Sequence, residues 1–149
     1  MNELTFVDTN VLVYCRDADE RDKQPGAQAW LEALWRFRTG RVSIQVLAEY
    51  YVTVTRKLDP GLSVDRARAD VATLRAWRPA ALDYGALEAA WTIQNRHRLS
   101  WWDALIVAAA QRLGCRYLLS EDFQDRQRFE ELEVINPFLH APEKILGLP

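Results

Sequence analysis

A chain of 149 residues suits one domain with a single core, and 49% hydrophobic against 27% charged residues is a globular balance with no tract polar or repetitive enough for a disordered arm or tandem array. A formal charge of −2 excludes the overall basic field of a DNA-coating protein, although 16 of the 19 basic residues are arginines, a bias that either phosphate contacts or a GC-rich genome would produce. The longest purely apolar run, Ala104 to Ala110, is far too short to span a bilayer, and Asp8, Thr9 and Asn10 interrupt the N-terminal apolar stretch, so neither a membrane partner nor a secretory signal is expected and the cytoplasm is the expected location.

In chain order, Leu4 to Asp8 reads as a short buried strand and Asn10 to Arg16 as a turn of helix capped by Thr9 or Asn10. A polar loop, Asp17 to Gln24, leads through Pro25 into a helix. There Ala27, Trp30, Leu31, Leu34 and Phe37 recur at three- and four-residue steps, and Gly40 is the expected stop. Val42 to Ile44 is a short strand. Gln45 to Lys57 is a helix with Val46, Leu47, Tyr50, Tyr51, Val54 and Leu58 on its apolar side, broken by Asp59, Pro60 and Gly61. Ser63 caps a helix reaching Trp77, Pro79 to Leu82 can form a strand, and Asp83 to Arg98 is helical. Ser100 opens a helix that runs to Leu113 and ends at Gly114. Arg116 to Leu119 is a strand, Glu121 to Glu131 a charged connection, Val134 to Ile135 a last small strand, and Phe138 to Pro149 a short tail. Strands separated by long helical segments argue for an α/β domain over residues 1–149, with a mainly parallel sheet covered on both faces.

Ligands of such sheets gather outside the carboxyl ends of the strands. Asp8 ends the first strand and Asp122 follows YLLSE at the end of another, so two carboxylates reach one rim, although each alone also suits a cap or turn. Asp103 opens DALIVAAA, a helix apolar almost all round, and projects on the side of Ile106, Val107 and Ala110; a capping box with Ser100 would use the same residue. Glu49 borders its helix's apolar stripe beside Val46 and Thr53, where it meets either a cleft or solvent. Brought together, four acids repel one another and stay ionised only around a cation. His97, His140, Cys15 and Cys115 show no zinc-like spacing, so an oxygen-only site for Mg²⁺ or Mn²⁺ is the better match. The two cysteines read as small buried thiols rather than a disulfide, and Ser120 lacks both a nucleophile-elbow pattern and a histidine base.

FVDTNVLVY, SIQVLAEYYV and LSWWDALIVAAAQRLGCRYLLSEDF, in that order over nearly the whole chain, resemble the PIN-domain ribonucleases, most closely the small VapC-type toxins of toxin–antitoxin pairs. On that likeness Asp8 and Asn10 match the family's first acid and its following Asx, Glu49 the helical glutamate, Asp103 the acid at a helix start, and Asp122 with Ser120 the acid after a strand and small hydroxyl residue. The resemblance implies a three-layer α/β/α sandwich and an Mg²⁺- or Mn²⁺-dependent endoribonuclease that leaves a 5′-phosphate and a 3′-hydroxyl. Asp8, Asp103 and Asp122 would hold the metal and Glu49 would bind it or orient water. Asn10 and Ser120 would support that shell, and Asp125 is a candidate further ligand. Implied partners are an RNA substrate, a small antitoxin and a second copy in a homodimer. Trp30, Trp35, Phe37, Tyr50 and Tyr51 are candidate contacts that core packing explains equally well, and Arg96, His97 and Arg98 are candidates to guide phosphates. Two other readings stay open: a non-catalytic PIN-like binding module, and an aspartate-nucleophile phosphatase. The latter would want a second Asp where Asn10 stands, and a partner lysine.

Overall fold

The computed structural model describes residues 3–147; Met1, Asn2, Leu148 and Pro149, the extremities of the expected domain and tail, lie outside the described residues. Three segments, apolar except for Thr5 and Glu133, namely β1 (Thr5–Val7), β3 (Tyr117–Leu119) and β5 (Leu132–Ile135), are buried at every position, as expected of central strands covered on both faces. They pair in parallel, Val7 opposite Leu119 and Leu119 opposite Ile135, with β2 (Gly40–Arg41) parallel to β1 on the outer side. A two-residue strand, β4 (Arg128–Phe129), closes the other edge antiparallel to β5, so the sheet order is β2-β1-β3-β5-β4.

Seven α-helices flank this sheet in the α/β/α sandwich: α1 (Thr9–Tyr14), α2 (Gln24–Phe37), α3 (Ile44–Val52), α4 (Val64–Thr73), α5 (Tyr84–His97), α6 (Trp101–Arg112) and α7 (Pro142–Leu146). Trp30, Trp77, Phe6 and Phe129 are the largest of the fully buried side chains. No helix among the described residues is long and apolar enough to cross a membrane.

Several boundaries differ from the sequence expectation, each for a local reason. Asp8, not Thr9 or Asn10, caps α1, its Oδ1 accepting the Thr9 amide. Arg38, not Gly40, ends α2: it takes the left-handed conformation at φ 59° and its amide turns back to the Leu34 and Trp35 carbonyls. Gly40 instead belongs to β2, which displaces the strand expected at Val42 to Ile44 toward the N-terminus, and Ser43 caps α3. The expected helix to Lys57 is α-helical to Val52 and then widens into a π turn, Thr53–Lys57. Similarly, the helix capped by Ser63 tightens into a 3₁₀ turn at Leu74–Trp77. Pro79 to Leu82 supplies only an isolated bridge from Ala80 to Ser43. The short elements β4 and α7 have no counterpart in the sequence expectation. Both cysteines are free and burial pushes each thiol up to about 12, so neither ionises readily at neutral pH.

Candidate active site

Because β1 and β3 pair in register, the residues that follow them emerge side by side, and the Asp8 amide donates to the Leu119 carbonyl at 3.0 Å. The chain leaves β1 for β2 on one side and returns to β3 on the other, so this rim is the switch point where open α/β sheets bind ligands. Asp8 Oδ2 accepts the Ser120 hydroxyl at 2.8 Å and the Asn10 amide at 3.3 Å. Asn10 Nδ2 also reaches Asp122 Oδ2 at 3.1 Å, while its Oδ1 accepts the Glu121 amide at 3.3 Å. The Asp122 amide donates to Ser120 Oγ at 3.1 Å. Asn10 and Ser120 thereby stitch the turn after β3 onto the start of α1 and hold Asp8 and Asp122 at one place.

Glu49 comes to the same rim from α3. The Thr9 hydroxyl donates to its Oε2 at 2.9 Å, and the Gln45 side chain, one turn back, donates to its Oε1 at 3.0 Å. Asp103 arrives in the first turn of α6, where Ser100 Oγ accepts its amide at 3.2 Å. Thus Ser100 does cap the helix, and the Asp103 carboxylate still feels the charge of Asp122 and Glu49. Sequence reasoning misses Thr9 and Gln45 as site residues. Thr9 reads there only as a helix cap, whereas Gln45, four residues before Glu49 on one helix face, carries a readable spacing.

The electrostatics tie the four acids together. Asp8 is 5% exposed, and its carboxyl is pushed up to about 7 chiefly by burial; the Ser120 hydroxyl and Thr9 amide oppose that rise, and Asp122 and Glu49 add to it. Burial also raises Asp103, against the pull of Ser100 and with repulsion from the same Asp122 and Glu49. Among the described residues no lysine, arginine or histidine pairs with Asp8, Glu49, Asp103 or Asp122. The nearby cations are engaged elsewhere, Arg16 with Asp70 at 2.7 Å and Lys23 with Glu121 at 2.8 Å.

As they stand, no three His, Cys, Asp or Glu side chains among the described residues are gathered tightly enough to enclose an ion. The chemistry of the donors nevertheless fits a hard divalent cation: carboxylates, an amide and a hydroxyl, with no nitrogen or sulfur ligand. Both histidines lie against other acids, His97 against Glu130 at 3.2 Å and His140 against Asp125 at 2.7 Å. Asp125 also accepts the Asn136 amide at 2.8 Å, which turns it toward the C-terminal segment rather than toward the four acids. Arg96 joins His97 on Glu130, leaving Arg98 of that trio without an ion pair among the described residues.

The candidate contact rings divide as well. Trp30 is fully buried with its indole donating to the His140 carbonyl at 2.8 Å, Tyr50 is buried, and Trp35 packs on Trp77 with ring centres 4.9 Å apart. Beside them a cavity of about 430 Å³ opens between α1, α2, α3 and α4, lined by Leu12, Leu31, Trp35, Tyr50 and Leu74 with the Arg16–Asp70 pair.

The PIN-domain family model matches residues 5–132, a span that holds all four acids with Asn10 and Ser120. The chain belongs to the PIN-domain family. Comparison with curated protein sequences gives no match. Among solved structures, this PIN domain is similar to VapC20 of Mycobacterium tuberculosis, described as a sarcin-ricin loop cleaving toxin: 24% identity, TM-score 0.61, 87% of this chain and 98% of that one. It is also similar to a chain of a toxin–antitoxin complex from Klebsiella pneumoniae, at 18% identity and TM-score 0.63 over 89% of this chain and 97% of that one. A chain of FitAB bound to an IR36 DNA fragment gives 18% identity and TM-score 0.68 over 91% and 96%. At these identities the likeness establishes the PIN fold.

Proposed function

We propose that this PIN domain is an Mg²⁺- or Mn²⁺-dependent endoribonuclease and the toxin of a toxin–antitoxin pair. The observation that carries the reading is Asp8 and Asp122 bridged by Asn10 at the switch point of the sheet, with Glu49 and Asp103 near enough to feel charge there and no basic side chain among the described residues paired with any of the four. Asp8, Asp103 and Asp122 are the residues that would hold a divalent cation, with Glu49 as a further ligand or as the group that orients water. Such a cation, when bound, lowers the pKa of a coordinated water and stabilises charge on the phosphate. The protein's own contribution is orientation. Ser120 and the Thr9 amide fix both oxygens of Asp8, and Asn10 holds Asp122 against it. Thr9 and Gln45 leave Glu49 exposed but directed, so its carboxylate can orient water or take a proton from it.

RNA is the substrate favoured by the likeness to a toxin described as cleaving the sarcin-ricin loop, and an antitoxin partner by the likeness to toxin–antitoxin complexes. The cavity beside Trp35, part apolar and part lined by the Arg16–Asp70 pair, is the surface we assign to an antitoxin segment, and a homodimer acting in the cytoplasm completes the reading. Structured RNA incubated with the protein and Mn²⁺ should be cut, and a chelator should stop the cutting. Asn10→Ala and Ser120→Ala should each lose roughly 10- to 100-fold, as positioning residues around a metal do, and Asp8→Asn should lose more. Asp8→Asn cutting as fast as the parent would sink the assignment. RNA bound but never cut under any divalent cation would leave a binding module.

A further inference from the structure

Trp102 is 61% exposed, immediately before Asp103 in the first turn of α6. Large aromatic rings usually pack against something, and the other tryptophans do, even Trp91, which stays 45% exposed. Trp30 and Trp77 are buried, Trp35 packs on Trp77, and Trp91 and Trp101 lie against each other with ring centres 6.4 Å apart. Trp102 has no aromatic neighbour and no hydrogen bond among the described residues, so neither packing nor capping accounts for it. Its position is constrained all the same, because Ser100 caps the helix and Asp103, one residue on, lies close enough to Glu49 and Asp122 to feel their charge. A rigid apolar plane thus stands in solvent one residue before an acid of the rim.

Building on the ribonuclease reading, we propose that Trp102 is a stacking platform for one unpaired nucleobase of the RNA beside the phosphate being cut, with Arg98 across the α5–α6 turn taking a neighbouring phosphate. The chemistry of the rim selects this kind of contact. Four carboxylates repel the sugar–phosphate backbone, so holding a strand there requires either cations or an uncharged contact. A base presents a π-face that a tryptophan accepts regardless of charge. Arg98 is exposed at the left-handed C-cap of α5, φ 56°, two residues before Ser100, and makes no ion pair among the described residues. A base inside a duplex is already stacked and cannot use the ring. Trp102 therefore makes the enzyme prefer loops and single strands over paired RNA. Its role is positioning: the ring holds the nucleotide and leaves the chemistry to the acids.

The test uses the full chain carrying Asp8→Asn, so that RNA is not cut, with Mg²⁺ and a short unstructured oligoribonucleotide containing 2-aminopurine. Replacement of a stacking ring by alanine weakens single-strand binding by about tenfold or more. Trp102→Ala should show that loss and should abolish the quenching of 2-aminopurine. Trp102→Phe should keep most of both, and Trp91→Ala, at an exposed ring that is packed on Tyr84 and Trp101, should change neither. Annealing the oligonucleotide to its complement should erase the difference between the Trp102 protein and Trp102→Ala. In the otherwise unmodified chain with Mn²⁺, Trp102→Ala should raise KM and leave kcat little changed. Equal RNA affinity for the Trp102 protein and Trp102→Ala overturns the proposal, as does a parent that binds no RNA. So does a Trp102→Ala protein that sediments as a smaller species, since the ring would then be a contact between copies. If the protein binds and stacks the oligonucleotide but the unmodified chain never cuts it, the ribonuclease reading fails while the stacking assignment stands.

Discussion

One oxygen of Asp8 caps α1 through the Thr9 amide and the other receives Ser120 and Asn10, while burial and two neighbouring carboxylates oppose its charge. With the folded carboxyl raised from 3.8 to about 7, the native state holds a proton that the unfolded chain has lost between those values. Unfolding then releases that proton, so this residue's contribution to stability falls as pH rises from about 4 to about 7 and is flat above. In chelator, denaturation of Asp8→Asn should lack that decline. The variant should therefore overtake the parent as pH rises and be more stable at pH 8 by on the order of 1 to 3 kcal/mol, while losing RNA cleavage. Parallel stability curves for the two proteins between pH 5 and pH 8 would show that the buried carboxylate costs nothing. Mg²⁺ at pH 8 should raise the parent's melting temperature more than the variant's, because only the parent has a full charge at that position to gain from it.

At the scale of elements, α2 and β2 show where periodicity stops informing. A glycine after an amphipathic run normally marks a helix end, yet the end falls at Arg38 and Gly40 serves a different need. A Cβ at Gly40 would lie 2.5 Å from the buried Trp77 ring, which is wedged against Trp35 and cannot swing away. Gly40→Ala should accordingly destabilise the protein by about 1 to 3 kcal/mol through overpacking, measured by urea denaturation. Indifference to Gly40→Ala would mean that Trp77 has room to move. That contact joins residues far apart in the chain, so no local pattern announces it. β4 was hidden for a related reason: Arg128–Phe129 is a two-residue edge inside a charged run, and its turn is made by Glu130 at φ 55° rather than by a glycine or asparagine. In contrast β1, β3, α5 and α6 were legible because each is an uninterrupted apolar or amphipathic segment bounded by Ser, Asp or Gly.

Across the whole molecule, the four acids could be located from sequence because each sits at a strand end, a helix start or a helix edge. Their mutual repulsion and their lack of basic partners required the fold. What sequence could not resolve was which acids belong to the scaffold. Asp125 lies three residues from Asp122 but closes a different structure: it accepts the Asn136 amide and meets His140, while the His140 carbonyl receives Trp30 of α2 and Phe138 stands edge-on to Tyr14 of α1. This clasp ties the C-terminal segment to two helices beside the acidic rim. Burial alone would raise the Asp125 carboxyl, but the Asn136 amide and His140 outweigh it and hold the group below its ordinary value of 3.8. A lowered folded pKa means that the stabilisation is present above the unfolded value and is lost as pH falls through it. Asp125→Asn keeps an oxygen for the Asn136 amide and loses the charge, so it should cost about 1 kcal/mol at pH 7, less than a fully buried charged bond because the side chain is partly exposed. The deficit should shrink as pH drops below about 4, and hydrogen exchange should quicken in the amides of residues 136–146. Mg²⁺ uptake by Asp125→Asn should match the parent, since the clasp and the acidic rim are separate; a variant that no longer takes up the metal would return Asp125 to the ligand set.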